Sequence, residues 1–291
     1  MMTCHSEYLK LQSVYLKPAK NAFVSDLHLN EQWHDLNYLS KPDYNASIKE
    51  YKALEDLLIS QEIDLKFFSY NGTTKIDSIY CRDASIATDF GFIICNMGKI
   101  GRQNEPISHE ETFKSNNELI LGRINSPGTL EGGDVAWLDQ NTLAVGHTYR
   151  TNEEGIEQLK SMLEPKGIEV IVAELPHYKG KNDVFHLMSI LSPVDKDMAV
   201  VYSPLMPIKF RNTLLDRGFQ LIEVPDEEFD SMGCNVLAIA PRTCVMVNGN
   251  PVTKQRLEAA GCSVFTYMGK EISIKGGGGP TCLTRPLQRI Y

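Results

Sequence analysis

Ile156-Glu-Gln-Leu-Lys-Ser-Met-Leu163, followed through Glu164-Pro-Lys-Gly167 by Ile168-Glu-Val-Ile-Val172, holds one complete structural unit. Apolar residues at 156, 159, 162 and 163 recur at helical spacing. Gly167 suits the left-handed cap that ends a helix. The run after it is rich in β-branched residues and reads as a strand. The same order returns along the chain. Tyr51-Lys-Ala-Leu-Glu-Asp-Leu-Leu-Ile-Ser60 leads to Ile63-Asp-Leu-Lys-Phe-Phe68. Phe210 to Asp216 leads through Gly218 to Phe219-Gln-Leu-Ile-Glu-Val224, and Arg256 to Ala260 leads through Gly261 to Cys262-Ser-Val-Phe-Thr266. Glu111-Thr-Phe-Lys114 followed by Glu118-Leu-Ile-Leu121 is a weaker copy.

Hairpin-like pairs lie between these units. Val135-Ala-Trp-Leu138 turns at Asp139-Gln-Asn141 into Thr142-Leu-Ala-Val145, and Leu237-Ala-Ile-Ala240 turns at Pro241 towards Cys244-Val-Met-Val247. The strand starts recur at a period of about 50 residues, which suits a radial repeat with several strands and one helix per unit. An open α/β sheet with crossover helices also alternates helix and strand, so pattern alone leaves both architectures open.

The 291 residues would ordinarily suggest two domains, but no Pro/Gly/Ser linker or low-complexity tract marks a boundary. A single α/β domain spanning residues 1–291 is expected. Hydrophobic residues make up 42% and charged residues 23%, which excludes a disordered chain and supplies a core. The net charge of −8 disfavours nucleic acid and suits a small cationic partner. No run of 18 apolar residues and no signal-like N-terminus occurs, so neither a membrane span nor secretion is expected. The seven cysteines include no CxxC pair, hence no zinc-ligand spacing and no disulfide framework. The expected setting is a reducing cytoplasm, with no metal and no cofactor. Homo-oligomerisation is compatible with the sequence.

Four segments offer chemistry. In Lys275-Gly-Gly-Gly-Gly-Pro-Thr-Cys282 the glycines let backbone approach a ligand, and a thiol directly behind them can act as a nucleophile. No Gly-Lys-Ser/Thr follows, so this is not a phosphate loop. Glu131-Gly-Gly-Asp134 places two carboxylates on a tight turn, one expected to orient a catalytic partner and the other to hold the turn. Asp183-Val-Phe-His186-Leu-Met188 puts a histidine at the mouth of an apolar strand, with His147 as its rival. Asp77 and Asp83 are six apart, so in an unbroken strand they would share a face and could receive a cation. Taken singly, each segment also has a plainer structural reading.

In this order, Tyr80-Cys-Arg-Asp83, Glu131-Gly-Gly-Asp134, His186-Leu and Gly276-Gly-Gly-Gly-Pro-Thr-Cys282 resemble the guanidine-modifying superfamily over almost the whole chain. That superfamily contains arginine deiminases, dimethylarginine dimethylaminohydrolases and amidinotransferases. The resemblance implies a five-bladed α/β propeller, or pentein, built from ββαβ-type repeats. It implies Cys282 as nucleophile, His186 as proton donor and then base, and Glu131 as its orienting partner. Asp83 would bind the guanidinium, Asp77 would face an α-amino group, and Arg102 and Arg150 would hold a carboxylate. Asp134 is counted with the substrate-binding residues, and Val24–Trp33 falls where the family has a mobile lid.

Some positions depart from the family pattern. Deiminases and amidinotransferases carry an acid two residues after the histidine, where this chain has Met188. That favours dimethylargininase-like hydrolysis of an N-methylated arginine to citrulline and a methylamine. Arg82 looks more deiminase-like, and Gly277 stands where some dimethylarginine enzymes have an acid. Hydrolysis of arginine or citrulline, amidino transfer to an amine, and non-catalytic binding on the same scaffold are the alternatives.

Overall fold

The computed structural model describes residues 2–291. The predicted unit at its centre forms as expected. Val135–Asp139 pairs antiparallel with Thr142–His147, the helix Glu153–Leu163 crosses over, and Glu169–Glu174 returns parallel to Thr142–His147. Asn152 caps the helix by accepting a hydrogen bond from the Gly155 N–H, and Gly167 adopts φ +83° after it.

Two further sheets repeat this connectivity, with Leu191–Asp195, Met198–Val201 and Gln220–Glu223 in one and Leu237–Ala240, Thr243–Val247 and Ser263–Tyr267 in the other. A third comprises Ser85–Ile86, Phe92–Ile94 and Ile120–Arg123, its crossover helix running Glu105–Ser115. The remaining sheet joins the two ends of the chain. Thr284–Ile290 takes the first-strand position and pairs antiparallel with Lys10–Leu16, the helix Tyr44–Ser60 follows, and Asp64–Phe67 lies parallel to Lys10–Leu16.

Five apolar clusters hold the five sheets in a ring, because each cluster is shared by two neighbours. In Val135–Asp139, Val135 and Trp137 pack with Ile86 and Ile93 of the preceding sheet. Ala136 and Leu138 face the other way, against Leu191 and Val201 of the next. This is the period-two alternation of a strand buried on both faces. Val194 and Val200 then pack with Ala238 and Met246; Leu237 and Val245 with Val14 and Leu16; and Tyr15 with Phe92 and Ile94, which completes the circle. The fold is a five-bladed α/β propeller. Truncating a side chain such as Leu143 or Val245, both fully buried, would cost about 2–5 kcal/mol at a blade interface.

Local expectations are corrected at two places. Asp77 and Asp83 do not share a strand: Asp77 lies in the 3-10 turn Ile76–Ile79 and Asp83 in the turn before Ser85–Ile86. His186 precedes its strand and begins the 3-10 turn Leu187–Ser189, where its backbone N–H donates to Ser189 Oγ at 3.1 Å. Among the described residues no helix is long and apolar enough to cross a membrane.

Candidate active site

Loops from different blades are tied into one frame by main-chain bonds. The Arg82 N–H donates to the Cys282 carbonyl at 3.2 Å, and the Gly132 N–H donates to the Asp83 carbonyl at 2.7 Å. The Leu187 N–H donates to Asp134 Oδ1 at 3.0 Å. The loops that carry Cys282, Asp83, Glu131 and His186 are therefore linked in series, each bond fixing the next loop. The frame surrounds a cavity of about 240 Å³ whose wall includes Asp77, Asp83, Arg102, Arg150, His186 and Cys282.

Glu131 Oε2 lies 2.8 Å from His186 Nε2, with the two side chains 0% and 4% exposed. Its other oxygen accepts the Lys99 N–H at 3.0 Å and sits 3.5 Å from Arg150 Nη1. Glu131 is thus fixed on both oxygens, and the imidazole Nδ1 lies 3.9 Å from Asp83 Oδ1. Gly133 makes this placement sterically feasible, since a Cβ there would lie 2.4 Å from His186 Nδ1. Burial alone would lower the His186 pKa, but Asp134, Asp83 and Glu131 outweigh it and raise it to about 9. Burial also opposes ionisation of Glu131, yet its bond to His186 holds the carboxyl well below the usual range. Both directions describe one ion pair, carboxylate with imidazolium.

Cys282 is partly exposed on the cavity wall. Asn235, which the sequence reading missed, positions its sulfur. Asn235 Oδ1 accepts from the Thr281 N–H and hydroxyl at 3.0 and 2.7 Å, which turns its amide towards Cys282 Sγ at 3.2 Å. Burial raises the thiol pKa and the nearby Asp83 charge adds to this, while Asn235 and Thr281 partly offset it. The balance favours the thiol over the thiolate. The glycine run serves close approach: a Cβ at Gly276 would meet the Tyr80 hydroxyl at 2.0 Å, and Gly277 has φ +78°. The other six cysteines are unpaired, and burial raises Cys81 to about 12, a structural rather than reactive setting.

Asp83 is anchored by Arg102, whose Nη1 donates to Oδ2 at 2.5 Å. Asp83 Oδ1 is buried and has no hydrogen-bond partner. The expectation that Arg102 holds a substrate carboxylate meets a guanidinium already engaged. Its Nε and Nη2 grip Glu105 at 2.8 and 2.7 Å, and Nη2 also reaches the Tyr80 carbonyl at 2.9 Å. Arg150 is freer, with a buried Nε that lacks any acceptor. Asp77 does line the cavity, but Lys99 Nζ occupies its Oδ2 at 2.6 Å.

Asp134 is corrected more firmly. It is fully buried, lies outside the cavity wall, and accepts from Thr148 and Thr151 hydroxyls at 2.8 and 2.7 Å as well as from Leu187. It holds the histidine loop. Of the two acids in the Glu-Gly-Gly-Asp turn, the one expected to hold the turn is Asp134. His147 points elsewhere, with Nδ1 on Glu174 at 2.6 Å. Arg82 also turns away from the cavity, to the buried Glu7 at 2.5 Å, so its identity does not shape the pocket. Within Val24–Trp33 the chain forms the helix Asp26–Gln32, and it is the following residues Leu36, Asn37 and Leu39 that cover the cavity.

Asp83, Glu131 and His186 present atoms within 4.8 Å of one another, the spacing of a metal trio. In the arrangement described, the acids around His186 favour a proton on its ring.

Comparison with known proteins agrees with this geometry. Residues 21–289 match the family model for N,N dimethylarginine dimethylhydrolase, eukaryotic. N(G),N(G)-dimethylarginine dimethylaminohydrolase of Pseudomonas aeruginosa is 26% identical over 248 residues, covering 85% of this chain and 91% of that protein. A cysteine-to-serine mutant of the P. aeruginosa enzyme complexed with citrulline superposes with TM-score 0.77 at 22% identity, over 96% of this chain and all of the other. The product-bound N-terminal domain of ArgZ, an arginine dihydrolase of cyanobacteria, gives 0.80 at 16% identity, over 96% and 97%. At those identities the structures establish the pentein fold. The chain belongs to the N,N-dimethylarginine dimethylhydrolase family, and it is a guanidino-modifying hydrolase acting on carbon–nitrogen bonds of linear amidines.

Proposed function

We propose that residues 1–291 act as one catalytic unit that hydrolyses an N-methylated arginine-like guanidinium to the ureido product and a methylamine. The observation that carries this reading is the unpartnered, buried Asp83 Oδ1 beside His186 on the wall that holds Cys282. A buried carboxylate oxygen without a donor calls for a charge-assisted N–H, and a guanidinium supplies one while presenting its carbon for attack. Met188, almost fully buried, gives the wall an apolar surface two residues from the histidine, where N-methyl groups lose nothing by desolvation. Arg150 Nε is the donor left for a carboxylate at the far end.

The steps follow from these placements. Binding of the cation lowers the Cys282 pKa, and the thiol proton leaves to water. The thiolate adds to the guanidinium carbon, forming a C–S bond. The C–N bond to the methylated nitrogen breaks as the His186 imidazolium delivers its proton, and the amine departs. Neutral His186 then takes a proton from water, whose oxygen adds to the thiouronium carbon. Collapse breaks the C–S bond and the hydroxyl proton leaves to water, regenerating the Cys282 thiolate and leaving a neutral ureido group. Glu131 holds the ring in one orientation throughout, and in one tautomer while it is neutral.

The test is a substrate panel of arginine, monomethyl- and dimethylarginine, agmatine, citrulline and guanidino acids, with citrulline, ornithine, ammonia and methylamines quantified. Turnover of a methylated substrate, abolished by Cys282→Ser with folding retained, is expected. Absence of any turnover, or full activity in Cys282→Ser, refutes the proposal.

A further inference from the structure

Lys99 enters the cavity where the sequence reading places a substrate's α-ammonium. Its Nζ donates to Asp77 Oδ2 at 2.6 Å and to the Leu36 carbonyl at 2.8 Å, and its own N–H donates to Glu131 Oε1 at 3.0 Å. The side chain is anchored at both ends: the backbone on the carboxylate that orients the histidine, the ammonium on the covering loop and the acid. Asp77 is 4% exposed at its side chain and Lys99 19%, so the pair lies at the cavity wall and not in open solvent.

The distal end therefore carries a built-in ammonium. An incoming α-ammonium would find Asp77 already neutralised and a like charge beside it. Elsewhere on the same cavity wall an unmatched group has the opposite demand: the Arg150 Nε–H is buried and lacks an acceptor. The wall has an unmet donor for an anion, while the acid that could meet an ammonium is already paired.

From this geometry we infer that Lys99 is a specificity-determining residue. It selects guanidino acids whose tail ends in a carboxylate and bears no free α-ammonium. This deepens the proposed hydrolysis and rests on it for turnover, but the tail preference has its own readout. Arg102, saturated by Asp83 and Glu105, stabilises the wall without deciding between tails.

The experiment uses two pairs that differ only in the α-amino group. One is 5-guanidinopentanoate against arginine; the other is its Nω,Nω-dimethyl derivative against asymmetric dimethylarginine. Wild-type protein is expected to favour the des-amino member by at least tenfold in kcat/KM. Lys99→Met should free Asp77 and shift the ratio at least tenfold towards the amino acid, mainly through KM. Lys99→Arg keeps the charge and should keep the preference. Calorimetric Kd values on Cys282→Ser with the same four compounds read the tail preference without chemistry, so absence of turnover would sink the proposed hydrolysis alone. A wild-type preference below tenfold in Kd and kcat/KM, or equal effects of Lys99→Met on both members, overturns the inference.

Discussion

Glu131→Gln removes one negative charge from beside His186 with almost no change of shape. The rise of His186 from its ordinary 6.5 to about 9 corresponds, at 1.36 kcal/mol per pH unit, to about 3 kcal/mol favouring the imidazolium. Asp134, Asp83 and Glu131 share that effect against the opposing cost of burial. Glu131 alone makes the direct 2.8 Å bond, so its neutralisation should lower the His186 pKa by about one to two pH units. The sign follows from linkage. A group whose folded pKa is raised stabilises fully below its unfolded value and loses that contribution as pH rises through the folded value. Wild-type protein should therefore lose stability between about pH 6.5 and 9 from this group, and Glu131→Gln should lose less. The carboxylate side of the pair acts at the other end. Glu131, held below its usual range, stabilises above its unfolded pKa and loses this as acid protonates it. Urea midpoints at pH 6 and pH 9.5 for both proteins measure the first effect. The pH profile of kcat measures the second consequence, a basic limb near pH 9 that moves downward in the variant as the proton donor is lost earlier. An unmoved basic limb together with an unchanged pH 6 to pH 9.5 stability difference would refute the assignment of Glu131 as one of the three acids that hold the proton on His186.

Two other substitutions separate pocket from frame. Met188→Asp puts a carboxylate on the apolar wall, and the kcat/KM ratio of dimethylarginine to arginine should fall at least tenfold; an unchanged ratio would remove Met188 from the specificity argument. Asp134→Ala deletes the acceptor for the Leu187 N–H and two threonine hydroxyls, costing about 3 kcal/mol at roughly 1 kcal/mol per bond. Its Tm should drop by several degrees while KM for any retained activity changes little; a raised KM at constant Tm would return Asp134 to the substrate-binding residues.

Each blade's crossover helix and final strand are local in sequence, so Ile156–Val172 announces its own unit. Ser85–Ile86 and Phe92–Ile94 are too short to carry a pattern; they pair within tertiary packing, Ile86 and Ile93 against Val135 and Trp137, and Phe92 and Ile94 against Tyr15 and Phe113. The site shows the same division. Residues whose chemistry is intrinsic, a thiol behind glycines or a histidine before an apolar strand, stand out in the chain. Asn235 and Lys99 do not, because their roles exist only in the folded chain, 47 residues from Cys282 and 22 from Asp77. The role expected of Asp134 fails for a physical reason too. Asp134 is fully buried outside the cavity wall, and burial obliges it to spend its bonds on the protein itself.

The strand that closes the ring, Thr284–Ile290, begins two residues after Cys282 and pairs with Lys10–Leu16. Translation delivers it after every other blade, at about 5–20 residues per second. Until then Lys10–Leu16 lacks its antiparallel partner in the first blade. The growing polypeptide thus closes its ring only once Thr284–Ile290 pairs with Lys10–Leu16. Under the proposed mechanism, loss of that strand would remove the architectural support beside Cys282, so a molecule clipped before Thr284 is expected to lose turnover.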